Sequence, residues 1–250
     1  MFHARFTDHV YPPRTHADWT QLIVDEGAVR YELDHHEHGA LRSSVTLLLP
    51  PGIPHDGRAA TPGGFRKRVL YLTDAVLGAD LVGPAVDRPA LADTVLRRRV
   101  HELHGALARP GDELEARSRL ALVGDRLTAH LRRADPRSPV HRDPGLAGRL
   151  RDLLDARTTE GLGLDEAAAL LHAHPTHLVR AFTREFGCPP HRYLTGRRVD
   201  LARRLLLAGM PPVEVANAAG FHDQSHLSRH FRRTLGTTPG RFAGRRSPDG

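Results

Sequence analysis

A hydrophobic pattern late in the sequence predicts an amphipathic helix preceded by a tight turn. Its apolar positions recur every four residues, which is the spacing of one buried helical face. These positions are Leu227, Phe231 and Leu235. Asp223 is a suitable N-cap for this helix, and Gly220 can end the short apolar helix 213–219 because glycine takes a positive φ at no steric cost. The combination of short helix, turn and second helix predicts a helix-turn-helix unit.

The same pattern occurs earlier in the chain. A short apolar helix over 164–171 and a turn over 172–174 precede Pro175, which is favourable in the first turn of a helix. The helix that follows has its own buried stripe and is expected to end at Gly187. The stripe consists of Leu178, Phe182 and Phe186. The sequence therefore predicts two helix-turn-helix units in tandem.

One long helix, 190–207, is predicted between the two units. Its inward positions are Tyr193, Leu194, Val199, Leu201, Ala202, Leu205 and Leu206. At 1.5 Å per residue this helix spans roughly 27 Å. A spacer of that length could hold two recognition helices about one DNA turn, ~34 Å, apart on one face of a duplex.

The other faces of the two recognition helices carry amide, hydroxyl, imidazole and guanidinium groups. Such donors can read base edges or contact phosphates in a major groove. In the second unit they are Gln224, Ser225, Ser228, Arg229, Arg232 and Arg233, and in the first unit they are Thr176, His177, Arg180 and Arg184. An ordinary solvated basic helix would also present these residue types, but the repetition of the whole pattern favours DNA binding.

With these motifs, the region 150–242 resembles the AraC family of transcription regulators. The resemblance lies in the tandem units and in the order of 182–187, 189–193, 202–206, 213–219 and the segment from Gly220 to Phe242. It implies that the two units bind neighbouring major-groove segments of promoter DNA. By position it implies base-facing roles for Thr176, His177, Arg180, Gln224, Ser225 and Arg229. The sequence departs from the family at the turn 172–174, which lacks the usual glycine, and at Leu227, where an aromatic residue is common.

Residues 19–73 alternate between short apolar runs and turn residues, which predicts the strands of a small antiparallel barrel or sandwich. The predicted strands are 19–24, 29–33, 45–49 and 68–73. The segment 47–55, with His16 ahead of the first strand, resembles the cupin-type sensing domain of many AraC family members. Arg42, Ser43 and Ser44 replace the Gly-Asp turn that is common before that segment.

Histidines in this part of the chain raise the question of a metal. His35, His36 and His38 fall in a predicted polar turn and are expected to be solvated. His16 and His55 are predicted to line the mouth of the barrel, either as a pair that contacts a small-molecule effector or as hydrogen-bonded packing. A metal site needs about three converging ligands, and the sequence does not display such a set clearly. No metal, other cofactor or catalytic residue is therefore predicted.

Residues 90–133 change to helical spacing and predict two amphipathic helices separated at Pro110 and Gly111. The family resemblance implies dimer contacts here, whereas simple packing on the barrel is the alternative. The predicted domains are a sensing domain, 1–134, a Pro-rich linker, 135–144, and a DNA-binding domain, 145–243, followed by a disordered tail, 244–250. The predicted class is α+β, with a β-barrel domain and an all-α domain.

Charge is concentrated in the second half of the chain. The net charge is +7, but residues 1–140 carry 19 basic and 18 acidic side chains while residues 141–250 carry 17 and 11. A basic excess suits phosphate binding, although an acidic protein or a membrane surface would also fit. Cys188 is the single cysteine, so no intrachain disulfide can form. Because no apolar run approaches ~18 residues and no signal peptide is evident, the chain is predicted to be cytoplasmic, without membrane insertion.

Two functions are consistent with these observations. The favoured one is a transcription regulator, not an enzyme, whose barrel binds a small-molecule effector. The alternative is a cupin-type metal-dependent enzyme fused to a DNA-binding module. A complete ligand triad with an open coordination position, or a nucleophile beside a base, would favour the alternative.

Overall fold

A computed structural model describes residues 2–6, 11–42, 46–132 and 143–244. The chain divides into two compact units. The N-terminal unit comprises Met1–Glu102 and Val123–Pro139, and the C-terminal unit comprises Leu103–Leu122 and Val140–Gly250. This division differs from the predicted domains because residues 103–122 fall in the C-terminal unit, where Leu114 and Ala121 join a hydrophobic cluster of that unit. Most of the predicted linker, through residue 142, and the predicted tail from residue 245 lie outside the described residues.

The N-terminal unit is built on an eight-stranded antiparallel sheet that forms a half-barrel. The strands are β1 (Phe2–Phe6), β2 (Tyr11–Arg14), β3 (Trp19–Leu33), β4 (His36–Arg42), β5 (Thr46–Leu49), β6 (His55–Ala59), β7 (Phe65–Leu72) and β8 (Ala90–Leu91). Strand β3 is central, since it pairs with β4, β5, β6 and β7. Its inward residues Leu22, Val24 and Tyr31 pack with Leu47 and Phe65 in the core of this unit.

Several strands differ from the prediction. The predicted strands 19–24 and 29–33 form one continuous strand, because Gly27, at φ 75°, carries the chain through a register irregularity instead of a turn. A Cβ at Gly27 would overlap the carbonyl oxygen of Gly64, so the close pairing with β7 requires glycine there. His36 and His38 belong to strand β4, not to a turn, and His38 is half-buried against Tyr31. The sequence pattern does not predict strands β1, β2, β4, β6 and β8, and β8 replaces the start of the region 90–133 that was expected to be helical.

Helix α1 (Val82–Asp87) lies between β7 and β8, and helices α2 (Thr94–Leu107) and α3 (Glu113–Leu131) follow β8. The predicted break at Pro110 and Gly111 is confirmed, with Gly111 at φ 83°. Leu103 of α2 is buried, whereas Leu107, in the last turn of the helix, is 53% exposed.

Among the described residues, the C-terminal unit contains the end of α2, the start of α3 and seven further helices. They are α4 (Pro144–Ala156), α5 (Leu164–Leu170), α6 (Pro175–Phe186), α7 (Pro190–Leu207), α8 (Pro212–Ala218), α9 (Gln224–Leu235) and α10 (Pro239–Ala243). One hydrophobic cluster unites α4, α5, α6 and Leu194 of α7, and a second unites Val199, Ala202 and Leu206 of α7 with α8 and α9. The predicted linker helix 190–207 is therefore confirmed and contributes to both cores. The α+β class with a sheet unit and a helical unit is also confirmed.

The turns and caps of the two helix-turn-helix units agree with the sequence in most details. Gly187 and Gly220 adopt positive φ of 68° and 77°, and the Asp223 carboxylate accepts a hydrogen bond from the backbone N–H of His226 at 2.6 Å. Among the stripe residues predicted to be buried, Phe186 is half-buried and Leu235 is exposed. Leu235 is 38% exposed because it is the last residue of α9.

None of the helices in the described ranges is both long and apolar enough to cross a membrane.

Candidate nucleic-acid interface

Helix α9 presents a polar face because its N-cap and its buried stripe fix its rotation. Leu227 and Phe231 are completely buried in the second cluster of the C-terminal unit. Of the predicted contact residues, Gln224, Ser225, Arg232 and Arg233 are exposed and Ser228 is half-buried. These side chains are therefore placed where a nucleic acid could reach them.

Arg229, the remaining predicted contact on α9, is engaged within the C-terminal unit. Its Nη2 atom lies 2.8 Å from Oδ2 of Asp112, which is almost completely buried, and the Arg229 side chain is 32% exposed. Asp112 immediately precedes α3 and is separated from Arg229 by more than a hundred residues of sequence. Sequence periodicity gave no sign of this pair.

Asp112 also accepts hydrogen bonds from two buried histidines of α9. Nε2 of His226 lies 3.2 Å and Nε2 of His230 lies 3.1 Å from Oδ1 of Asp112. Burial opposes ionisation of the carboxyl group. The hydrogen bonds from His226 and His230 and the charge of Arg229 outweigh burial and hold the pKa of Asp112 well below its usual range. One aspartate thus contacts three side chains of α9.

The same three residues, Asp112, His226 and His230, are a group among the described residues whose ligand atoms lie close enough for a metal, within 4.8 Å of one another. The backbone N–H of His222 donates to Nδ1 of His226 at 3.1 Å, which places the ring proton of His226 on Nε2. A metal bound at that Nε2 would require the opposite tautomer. The guanidinium of Arg229 already neutralises the carboxylate. The geometry therefore favours a hydrogen-bonded cluster.

A cavity of about 330 Å³ lies beside this cluster in the C-terminal unit. Glu115, His191 and Arg233 contribute to its lining. Nη2 of Arg119 lies 2.6 Å from Oε1 of Glu115, and Nη1 of Arg233 lies 4.0 Å from the same oxygen. Arg233 thus faces an acidic residue of its own chain as well as solvent.

The predicted contacts of the first unit lie on α6. Thr176, His177 and Arg180 are half-buried and Arg184 is exposed. Nε2 of His177 lies 3.8 Å from Oδ2 of Asp143, the N-cap of α4. Pro175 starts the helix and His174 caps it, with Nδ1 of His174 accepting from the backbone N–H of Thr176. Thr176, His177 and Arg180 therefore lie in the first two turns of α6, and Arg184 lies in its last turn.

In the N-terminal unit, the structure brings His16 and His55 together. Their ring centroids are 4.8 Å apart, and the half-exposed ring of Tyr71 lies 5.9 Å from His16. The backbone N–H of Gly52 donates to the carbonyl oxygen of His16, which connects the turn after β5 to the segment before β3. His35 and His36 are exposed, so they do not join this pair.

Comparison with known proteins assigns the chain to a family. The family model of the AraC-like ligand binding domain matches residues 1–124, and the model of a helix-turn-helix domain matches residues 167–245. The chain belongs to the AraC family of transcription regulators.

Similar curated proteins are transcription regulators by name. This AraC family member is 27% identical over 153 residues to the probable transcriptional regulator LumQ of Photobacterium leiognathi, which covers 59% of this chain and 60% of LumQ. It is 33% identical over 76 residues to the transcriptional regulator YbfI of Bacillus subtilis, or 30% of this chain and 28% of YbfI. The matched regions thus span less than two thirds of the length of these relatives.

Matches among solved structures include the C-terminal domain of AraT, a response regulator from Geobacillus stearothermophilus. It is 26% identical, with a TM-score of 0.40, and the match covers 44% of this chain and 92% of the AraT chain. ToxT from Vibrio cholerae is 13% identical with a TM-score of 0.35, and the match covers 96% of this chain and 98% of ToxT.

Proposed function

We propose that this AraC family member is a transcription regulator that binds specific double-stranded promoter DNA through α6 and α9, in adjacent segments of the major groove. The observation that carries the proposal is the division of α9 into two faces. Leu227 and Phe231 are fully buried, whereas Gln224, Ser225 and Arg232 are exposed on the other side. Amides and hydroxyls can read base edges, and arginine can contact phosphate. The repeated architecture of α6 supplies a second reading element.

The proposal is tested by selecting bound duplexes from a random DNA library with the purified full chain. Enrichment of a common sequence is expected. Arg232→Ala should then weaken binding to the selected and to random duplexes alike and reduce the salt slope by about one, because Arg232 contacts phosphate. Gln224→Ala should cost ~1 to 3 kcal/mol mainly on the selected duplex. Failure to enrich any sequence, or equal losses from both variants on both DNAs, would remove the proposal.

We further propose that the N-terminal unit binds a small-molecule effector near His16 and His55. The match to a ligand-binding family model and the 4.8 Å approach of the two rings support this assignment. A thermal-shift screen of a metabolite library on the full chain should yield compounds whose effect is lost in the His16→Ala, His55→Ala double variant. His35→Ala, at an exposed position, is the matched control and should retain the shift. A shift that survives the double variant would place sensing elsewhere.

We propose no enzymatic activity, because membership of a regulator family favours binding over catalysis. Metal analysis of the purified chain tests the alternative of a cupin-type enzyme, since stoichiometric metal that depends on His16 and His55 would favour it.

Dimerisation through residues 90–133 also stays a proposal. Leu107, an apolar side chain that is 53% exposed on α2, is a position that a second copy could cover. Sedimentation should then show a dimer that Leu107→Glu converts to a monomer, whereas a monomeric wild-type chain would exclude this contact.

A further inference from the structure

Two carboxylates of the same chain contact one side of α9. This side carries His226, Arg229, His230 and Arg233. Asp112 contacts the first three of these side chains, and Glu115 lies 4.0 Å from Arg233. Both carboxylates are almost completely buried, with side-chain exposures of 3% and 10%. An acidic segment, defined here as residues 111–115, thus covers one side of the recognition helix.

The local backbone is shaped for this contact. Gly111 has φ 83°, and a Cβ at this position would overlap the imidazole of His226. The Glu113 carboxylate accepts a hydrogen bond from the backbone N–H of Gly111 at 3.1 Å, and the Asp112 carbonyl accepts from the backbone N–H of Ala116 at 2.8 Å. The acidic segment is therefore fixed at the start of α3 in a conformation that lets it approach α9 closely.

Arg229 is the guanidinium donor in the Asp112 cluster, and its partner is a buried carboxylate. A carboxylate and a DNA phosphate offer the same chemistry to a guanidinium group, namely anionic oxygens that accept charge-assisted hydrogen bonds. For the Nη2 of Arg229 to donate to a base edge or a phosphate, it would have to release the Asp112 carboxylate.

We infer that the acidic segment is an intramolecular docking partner of α9 that competes with DNA for Arg229 and restrains DNA binding. The inference rests on the proposed DNA-binding function and adds its regulation. The acidic segment is joined through the chain to the N-terminal unit on both sides, since that unit ends at Glu102 and resumes at Val123. A change in that unit therefore has a covalent route to the contact that holds Arg229.

The test uses the full chain and the duplex selected as described above. Asp112→Asn removes the charge but keeps an acceptor for the two histidines, and it should raise affinity about fivefold or more. Asp152→Asn, an exposed acidic position of α4, is the matched control for the loss of one negative charge and should change affinity less than twofold. An increase no larger than the control would overturn the inference. A decrease would also overturn it, because Asp112 would then support Arg229 in its DNA-reading position.

A second variant, Gly111→Ala, tests the same contact if Asp112→Asn fails to fold. Gly111→Ala leaves every charge in place but inserts a methyl group against His226, so it should also raise affinity. In an Arg229→Ala background, both substitutions should lose their effect. Persistence of the effect there would overturn the competition for Arg229.

Two further outcomes separate the possible failures. A wild-type chain that selects no DNA would remove the proposed function, whereas one that binds DNA with no response to Asp112→Asn or Gly111→Ala would remove only the competition. Stoichiometric metal that is lost in Asp112→Asn would overturn the inference as well, because a cation would then hold the carboxylate in place of Arg229.

Discussion

His172 and Gly220 occupy equivalent positions in the two helix-turn-helix units, and both have a left-handed backbone conformation. Each lies two residues after the end of a short helix, α5 or α8, and their φ angles are 49° and 77°. In both turns the following backbone N–H donates to a carbonyl five residues earlier, from Ala173 to Ala168 and from Phe221 to Ala216. The first unit therefore makes with histidine the turn that the second makes with glycine.

This relationship predicts that His172→Gly stabilises the protein. A non-glycine residue in the left-handed region costs roughly 1 to 2 kcal/mol of stability. Glycine avoids this cost, but part of the gain is offset because glycine increases the conformational entropy of the unfolded chain. A gain of about 0.5 to 1 kcal/mol in the free energy of unfolding is expected in denaturant titrations. His174→Gly, at a nearby exposed position with φ −69°, is the control and should stabilise nothing because it removes the cap of α6. Equal losses in both variants would contradict the equivalence of the two turns.

Gly220→Ala should be much more damaging than Gly236→Ala. Both glycines have positive φ, 77° and 72°, so both variants place a side chain in the left-handed region. At Gly236 no atom lies within 4 Å of the added Cβ, and the expected cost is about 1 kcal/mol. At Gly220 the Cβ would overlap the carbonyl of Thr159, so we expect roughly 2 to 3 kcal/mol or more in the same titration. Similar costs would mean that the approach of residue 159 to the turn is not tight.

His191 predicts a loss of stability under mildly acidic conditions. It is 5% exposed, and burial lowers its pKa from 6.5 to about 4 although Glu115, 4.0 Å away, opposes the shift and Arg119, Arg192 and Arg233 add to it. The unfolded chain therefore takes up this proton first as the pH falls. Stability should decline between about pH 6.5 and pH 4, by roughly 2 to 3 kcal/mol from this group.

The measurement is the free energy of unfolding from pH 7 to pH 4 for the wild type and for His191→Gln. Glutamine does not titrate in this range, so the difference between the two curves isolates residue 191. The wild type should lose stability more steeply than the variant between pH 6.5 and pH 4. Parallel curves would show that His191 has an ordinary pKa in the folded protein.

Local signals in the sequence were sufficient for most of the C-terminal unit. Helical periodicity and the residues Pro190, Gly187 and Asp223 define helices whose observed bounds agree with the prediction, since caps and buried stripes act within a few residues. The same reasoning wrongly predicted two strands in place of β3. Glu26 and Gly27 resemble a turn unless their pairing with β7 is known.

Contacts in the candidate site between residues far apart in sequence could not be predicted from such local signals. Asp112 reaches His226, Arg229 and His230 only after the chain has folded, and no pattern within the segment 223–235 indicates a distant carboxylate. The positions of His226 and His230 beside the stripe residues Leu227 and Phe231 did contain a clue, because two buried imidazoles need polar partners. The pairing of His16 with His55 was reached from the family resemblance, and their distance follows from the fold.

Asp223 links the stability of α9 to the position of its exposed first turn. Its carboxylate accepts the His226 backbone N–H at 2.6 Å and approaches Nδ1 of His222 at 3.2 Å, while the exposed residues Gln224 and Ser225 form the first turn that it caps. Asp223→Ala should lower the free energy of unfolding by about 1 kcal/mol, and Asp223→Asn should recover most of that loss because asparagine is also a good N-cap. Fraying of the first turn would displace Gln224 and Ser225, so Asp223→Ala should weaken binding to a selected duplex more than to random DNA in paired titrations. If Asp223→Ala and Asp223→Asn were equally stable, or if the alanine variant lost affinity for both DNAs alike, the cap would have no part in presenting these two side chains.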